Sequence, residues 1–441
     1  MQNKHSSSPS LLRKIGLHRT DLRSWAYYDI ANSSFAVVIM VAILPVYFAD
    51  VIASDLPSHE RTALWAYISS GAMFITALIS PFMGNIADRI KGKKKFLFLL
   101  TVSGALSSAA LAFSGAGTIT LTTILYVLGN VSFSLGHVFY ESLLVDLCDE
   151  EEVHVTSLSA YALGYLASGI ILALNLGFVL SPTTFGLADG DAGIKASFIS
   201  VGIWWLFFSI PLFRNVSESE PENPLKEDQK NISYLVSSSV KQLFITLKDS
   251  KNLPNLFIFL IGFWFYSDGI GTVMKMATVY GKEVGISNDD LIAAILMIQF
   301  VGVPAAFIFC PLAMKIGPKN GLYITLSVYT VMTALSYFMK ETWHFWALAF
   351  AVALVQGASQ ALSRSIYATM VPQHRASEFF GFFSVSSKIA GIFGPLIFGI
   401  VSQLFGSSRS SLIFVCLLFV VGIICLMKVD VEQGKIEAQK A

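Results

Sequence analysis

Gly84-Asn-Ile-Ala-Asp88-Arg89-Ile-Lys-Gly92-Lys93-Lys94-Lys95 is the stretch whose reading decides the fold. It is a short polar, basic run between two long apolar segments, roughly 63–87 and 96–114. Each segment is long enough to cross a bilayer core, which takes about 20 predominantly apolar residues. Basic residues packed into one short connection mark the face of a membrane protein that stays in the cytoplasm.

Working outward, the same alternation fills the chain. Twelve spans are predicted at roughly 25–52, 63–87, 96–114, 119–145, 157–180, 195–213, 254–280, 290–313, 321–339, 344–370, 379–405 and 409–428. Of 441 residues, 54% are hydrophobic and 13% charged. The apolar share is about 238 residues, against about 240 needed by twelve spans. Mean hydropathy is +0.64. One or two soluble cores could not hide that much apolar surface, so a soluble enzyme and a disordered chain are excluded. A net charge of +1 excludes a nucleic-acid binder. Continuous rather than alternating apolar segments argue against a transmembrane barrel.

The predicted organisation is a cytoplasmic tail over 1–24, a six-helix bundle over 25–213, a cytoplasmic linker over 214–253, a second bundle over 254–428 and a tail over 429–441. Ser217 to Lys230 reads as flexible linker, and Tyr234 to Lys248 as an amphipathic helix on the membrane surface. With the N-terminus inside, inner segments carry 22 of the 30 basic residues and outer loops five: Arg61, Lys195, Lys282, Lys340 and Arg409. Both termini are therefore expected in the cytoplasm. No apolar stretch precedes Arg23, so no cleaved signal peptide is expected. The cysteines Cys148, Cys310, Cys416 and Cys425 show no metal or disulfide spacing.

The two halves repeat weakly. The basic loop has a shorter counterpart, Ala313-Met-Lys315-Ile-Gly317-Pro-Lys319. Tyr28-Asp29 has one in Tyr266-Ser-Asp268, and Glu141-Ser142 one in Arg364-Ser365. Two six-helix repeats about an axis along the membrane normal form a transporter architecture, with the solute site at the repeat interface.

Gly84–Lys95 resembles the loop 2–3 signature of the Major Facilitator Superfamily, with Lys91 as one extra residue. Three further blocks resemble its vacuole-effluxer family, which includes a fungal vacuolar amino-acid exporter and many bacterial members. They are Trp25-Ala-Tyr-Tyr-Asp29-Ile-Ala-Asn32-Ser-Ser-Phe35, Tyr161-Ala-Leu-Gly-Tyr165-Leu166, and Gly357-Ala-Ser-Gln360-Ala-Leu-Ser-Arg364-Ser365 with Glu378-Phe-Phe-Gly381 and Gly394-Pro395. The chain departs from the family at the end of span 4, where Glu141-Ser-Leu-Leu-Val145-Asp146 replaces Asn-x-x-Leu-Pro-Glu. The resemblance implies an all-α membrane protein, a Major Facilitator fold of twelve helices in two pseudo-symmetric bundles, with spans 1, 4, 7 and 10 around a central cavity.

Ionisable groups in a span are costly and face a cavity or a partner. Span 1 carries Asp29 and Asn32. Span 4 carries His137 and Glu141, span 7 Asp268, Thr272 and Lys275, and span 10 Gln356, Gln360 and Arg364. Helical spacing makes each set one stripe. These residues, with Lys388 of span 11, are the candidates for solute binding or proton coupling. Gly84, Asp88, Arg89, Gly92, Lys93, Glu141 and Arg364 are the candidates for gating. The resemblance places Asp88 at the N-terminal end of span 11. Glu141 and Arg364 are expected to pair when the inner side closes. Alternatives stand beside these readings. Asp29 is also readable as a structural carboxylate about 6 Å into its span. Asp268 is readable as the ion-pair partner of Lys275, His137 as a quiet hydrogen-bond partner, and Lys388 as a packing group. Gly391, Gly394, Pro395 and Gly399 read as packing and bending positions.

No Walker, His-Glu-x-x-His or Gly-x-Ser-x-Gly motif occurs, so neither ATP hydrolysis nor a catalytic reaction is expected of this chain. No cofactor or metal is expected. The expectation is a monomeric secondary transporter of a bacterial inner membrane that moves a small polar, zwitterionic solute, with the proton as candidate coupling ion. Amino-acid export is the direction the resemblance implies. Export of amphipathic drugs or lipids is the alternative within this class, and a receptor or membrane enzyme the one outside it.

Overall fold

The computed structural model describes residues 12, 16–89, 92–147, 150–218, 237, 241, 245, 247–372 and 376–440. It describes their side chains except those of 84–89, 145–146, 150–155, 158, 303, 306–307, 310–311, 314, 376–378, 381 and 384. Among the described residues, twelve long helices cross the molecule. They are α1 (Thr20–Ile52), α2 (Ser58–Arg89), α3 (Lys93–Ala110), α4 (Ile119–Leu147), α5 (Glu150–Leu180), α6 (Gly190–Asn215), α7 (Pro254–Val284), α8 (Asn288–Ile316), α9 (Pro318–Ser336), α10 (Thr342–Thr369), α11 (Ala376–Phe405) and α12 (Ser408–Met427). A short α13 (Val431–Lys440) follows. Ten of the twelve are long and apolar enough on their own to cross a membrane; α8 and α9 complete the set at 29 and 19 residues.

Many helices run past their apolar windows. α1 begins at Thr20, so Asp29 lies about 14 Å inside it at about 1.5 Å per residue, not about 6 Å. Residues 16–19 are docked rather than free. Thr156 Oγ1 donates to the Gly16 carbonyl at 3.0 Å, and Arg19 to the Leu147 carbonyl at 3.1 Å. The segment after Met427 is also docked. Asn255, at the start of α7, donates to Glu437 Oε1 at 2.8 Å and accepts from Asp430 N at 2.8 Å. Most of the linker, including most of the expected surface helix, lies outside the described residues.

α1–α6 pack as one bundle and α7–α12 as the other. The halves meet through α2 against α11 and α5 against α8, two contacts exchanged by the repeat. The repeat also places one tie twice. Lys94 at the start of α3 donates to the Val216 carbonyl at 2.5 Å, and Lys319 at the start of α9 to the Val429 carbonyl at 2.6 Å. Each tie holds the chain leaving the sixth helix of its half to the third. The end of the molecule bearing these ties and both tails is the tail side, and the opposite end the far side. Side-chain caps start helices that enter from the far side. Asp189 accepts from Ala192 N, Ser287 from Asp290 N and Ser407 from Arg409 N, and Glu341 with His344 forms a capping box.

α1 is not a plain helix. Phe35–Ala42 and Phe48–Ile52 are wound as π-helix, a rare geometry that is frequent at functional sites.

Candidate functional site

The aromatic block at the start of α1 fixes the neighbourhood of Asp29. Trp25 stacks on Tyr140 of α4 at 4.3 Å and donates through Nε1 to the Tyr140 carbonyl at 2.9 Å. Tyr28 hydroxyl meets Thr101 Oγ1 at 2.9 Å. Asp29 is thereby held beside Tyr140 and Glu141 and against Gly164 of α5, where an added Cβ would lie 3.5 Å from Asp29 Cβ. Asn32, one turn on, is buried, with Nδ2 unpartnered among the described residues.

α4 turns His137 and Glu141 toward the other half. They line a cavity of about 220 Å³ with Phe133 and Ser134 on the α4 side and Ser387 and Lys388 on α11. His137 Nδ1 lies 3.0 Å from the Phe133 carbonyl of the preceding turn. Lys388 Nζ donates to Ser80 Oγ of α2 at 2.7 Å. This bond crosses the halves and holds the ammonium at the cavity wall. One cavity thus gathers a carboxylate, an ammonium and an imidazole from both halves, the donor set that a solute bearing both charges requires.

Glu141 and Arg364 form no ion pair with each other in this structure, and both are exposed. Arg364 instead lies over the Phe380 ring at 5.9 Å, and Tyr161 of α5 lies within electrostatic reach of both charges. Gln360 is exposed, while Gln356 is half-buried with Oε1 unpartnered among the described residues.

Asp268, Thr272 and Lys275 do not line this cavity. They are buried where α7 meets α11. The cause is glycine: a Cβ on Gly394 would fall 2.0 Å from Thr272 Oγ1 and 2.8 Å from Asp268 Oδ1. Bare backbone lets α11 close over the stripe. Thr272 Oγ1 donates to the Asp268 carbonyl at 2.7 Å, and Lys275 Nζ to the Gly391 carbonyl at 3.2 Å. Asp268 Oδ1 has no partner among the described residues. The Asp268–Lys275 ion pair does not form, because Lys275 is turned to α11. The reading of Asp268 as cavity-facing is therefore corrected for this state of the molecule.

The far side is fastened by bonds between the halves that no sequence motif announced. Asp50 of α1 accepts from Lys282 Nζ at 2.9 Å and Asn288 Nδ2 at 2.6 Å. Glu283 accepts from Thr62 of α2 across the halves at 2.7 Å, and is steadied within its own half by Ser408 N at 3.0 Å. Thr278 Oγ1 donates to the Val41 carbonyl at 2.9 Å, which lies in the π-wound part of α1. Tyr67 donates to Gln403 at 2.7 Å and Ser402 to the His59 carbonyl at 3.2 Å. The molecule is closed at the far side.

In the basic loop, the side chains of Gly84–Arg89 lie outside the described residues, so the expected role of Asp88 has no geometry here. Gly92 adopts φ +123°, which favours glycine. Its N–H and that of Lys94 donate to Glu218 at 2.7 and 2.8 Å. Lys93 Nζ is 3.5 Å from the Ser142 carbonyl of α4. Sequence reasoning missed Glu218. A signal existed: Lys93, Lys94 and Lys95 in the first turn of α3 oppose the helix dipole, so an acid from elsewhere was needed.

The model of the vacuole effluxer Atg22-like family matches residues 56–439. The chain is 34% identical over 411 residues to an uncharacterized MFS-type transporter, YxiO, of Bacillus subtilis, covering 93% of this chain and 94% of that one. It is 25% identical over 305 residues to autophagy-related protein 22 of Yarrowia lipolytica, covering 63% of this chain and 50% of that one. Among solved structures, it is similar to a mutant of the nucleoside transporter NupG with TM-score 0.64 and 13% identity, covering 94% and 99% of the two chains. That last likeness speaks for the fold.

Proposed function

The chain belongs to the vacuole effluxer Atg22-like family of MFS-type transporters, and we infer that it exports a zwitterionic solute, an amino acid, by alternating access coupled to protons. The observation that carries this reading is the cavity shared by His137, Glu141 and Lys388. Glu141 is placed to take an ammonium and Lys388 a carboxylate, and Arg364 shares Tyr161 with Glu141 as a neighbour. Phe133 offers apolar surface for a side chain. Asp29 backs this wall from α1 beside Glu141, and Asn32, Gln356 and Gln360 are the further candidates for polar contacts with the solute.

The basic-residue bias assigns the tail side to the cytoplasm, so the cavity opens inward, in a bacterial inner membrane. The protein works as a monomer. Solute enters at Lys388, the tail side closes through Glu141 and Arg364 with the Gly84, Asp88, Arg89, Gly92 and Lys93 loop as hinge, and the far-side bonds break. Asp268 is the proton carrier. Gly394 covers it in this state, and it exchanges its proton when α11 shifts from α7 during the cycle. Solute leaves chemically unchanged.

The test is flux of labelled amino acids in proteoliposomes with and without an imposed proton gradient. Gradient-dependent uptake that Lys388→Met abolishes or cuts about tenfold, as loss of a charged hydrogen bond requires, supports the reading. Absence of amino-acid flux, or full flux in Lys388→Met, refutes it.

A further inference from the structure

An uncharged polar layer lies inside the N-terminal half. Ser69 and Ser70 come from α2, Tyr126 and Asn130 from α4. Their exposures are 1%, 3%, 1% and 0%. Both serine Oγ atoms, the tyrosine hydroxyl and both polar atoms of the Asn130 amide lack a hydrogen-bond partner among the described residues. Tyr126 adjoins Ser69 and Asn130, yet no pair among them meets hydrogen-bond geometry.

Adjustment among themselves does not satisfy them. An amide side chain offers two donor hydrogens and two lone pairs, and a tyrosine hydroxyl one donor. A rotation that joined Tyr126 to Asn130 would still leave most of the amide open. The same positions filled by Leu and Ala would pack without that desolvation cost. As they stand, these groups carry a desolvation cost that a hydrogen-bonding ligand would relieve.

The layer lies at the depth of the buried α7 charges. Ser69 is one turn along α2 from Trp65, whose Nε1 donates to the Lys275 carbonyl at 3.3 Å. It is one turn before Met73, which touches the Gly391 position where the Lys275 ammonium is held. Toward the far side it is roofed by aromatic rings, Phe48 on Trp65 at 5.3 Å and Trp65 on Tyr126 at 4.9 Å. The roof belongs to the same end as the Asp50 and Glu283 bonds. Across the halves, an uncharged polar layer is thus set against a charged one, directly behind the far-side closure.

We propose that Ser69, Ser70, Tyr126 and Asn130 form a subsite for the uncharged hydrogen-bonding part of the transported solute, a hydroxyl or a carboxamide. This rests on the transporter reading and sharpens its substrate class. The subsite is sealed in this state and is reached when the halves rock and α2 parts from α7 and α11. A site built to hydrogen-bond such a group rejects an apolar isostere, because its own polar atoms stay unpaired.

The experiment has two arms, both on the full chain with its four cysteines replaced by serine. The first needs no knowledge of the solute. Ser70→Cys is exposed to methanethiosulfonate ethylammonium with the far side intact and with it loosened by Asp50→Ala. Faster labelling in the loosened protein, slowed by glutamine or myo-inositol, is expected. No labelling in either protein, or labelling that neither solute slows, overturns the subsite. The second arm compares proteoliposome flux of L-glutamine and L-norleucine. Asn130→Leu is expected to lower the glutamine-to-norleucine ratio about tenfold, and Tyr126→Phe to lower it less. An unchanged ratio in both variants, with norleucine flux retained, overturns it. If the unaltered protein carries neither amino acid while solute still slows labelling at position 70, the amino-acid reading fails and the subsite stands.

Discussion

Asp50→Ala is the perturbation that most directly probes how the two halves are held. Asp50 stands at the end of α1, and both its partners, Lys282 and Asn288, belong to the other half. The carboxylate is 23% exposed and the ammonium 28%, so the ion pair is screened and its share is no more than about 1 kcal/mol. The bond from Asn288 adds about 1 kcal/mol. Together they bias the closed far side by about 1–2 kcal/mol. Their loss should raise the open-to-closed ratio there about 5- to 30-fold. Asp50→Asn, which can still accept from Asn288, should give about half the free-energy effect. Spin labels at Ala188→Cys and Lys340→Cys, on far-side loops of opposite halves, read the separation by pulsed electron double resonance. The expected outcome is growth of a longer-distance population in the order Asp50→Ala, Asp50→Asn, unaltered protein. Salt should narrow the difference, because the pair is partly solvated. An identical distance distribution in all three proteins would refute the reasoning. So would a change of equal size from Asp189→Ala, which caps α6 within one half.

Asp268→Asn should abolish gradient-driven uptake while leaving solute counterflow; equal loss of both would assign Asp268 to packing under Gly394 rather than to coupling. Neutralising Glu141 or Arg364 alone leaves an unpaired charge when the tail side closes, at a cost on the order of 3–5 kcal/mol if the pair is buried there. The exchange Glu141→Arg with Arg364→Glu should therefore recover flux that either single neutralisation loses, and an exchange no better than the worse single variant argues against pairing. Glu218→Ala removes the acid from the first turn of α3, and a cap of this kind contributes about 1 kcal/mol. The thermal midpoint in detergent should fall by about 2 °C, with Glu218→Asp falling less; no change in either would make the contact incidental.

The twelve-helix frame was legible because each span must hold its apolar length, and the polar ends only extended it. The stripe of His137 and Glu141 was legible too, since positions four apart share a helix face whatever surrounds them. Lys388 was a candidate with no partner. Its place opposite His137 depends on how α11 crosses α2 and α4, which periodicity within one helix does not encode. The same limit explains Asp268. Its stripe with Thr272 and Lys275 is real, but whether a stripe faces a cavity or a neighbour is set by that neighbour. Gly391 and Gly394 were read as packing positions and Asp268 as a site residue, without the inference that the former cover the latter.

The far-side bonds and the α2–α4 polar layer were invisible for different reasons. Asp50 and Asn288 are 238 positions apart in short segments that carry no motif, and their pairing exists only once two bundles have docked. Ser69, Ser70, Tyr126 and Asn130 sit in apolar runs and carry no charge, so a search for ionisable groups in spans passes over them. Their signature is failure to find partners after folding, which is a property of packing. An ionisable residue in a membrane announces itself by its desolvation cost in any context, whereas a hydroxyl or amide does so only where the structure leaves it unanswered. In a transporter the two kinds of group have different tasks. Charges hold the common head of a class of solutes, and uncharged donors and acceptors select within the class. The sequence therefore exposes the chemistry shared by a solute class more readily than the chemistry that separates its members, and the second becomes readable only from side chains brought together by α2 and α4.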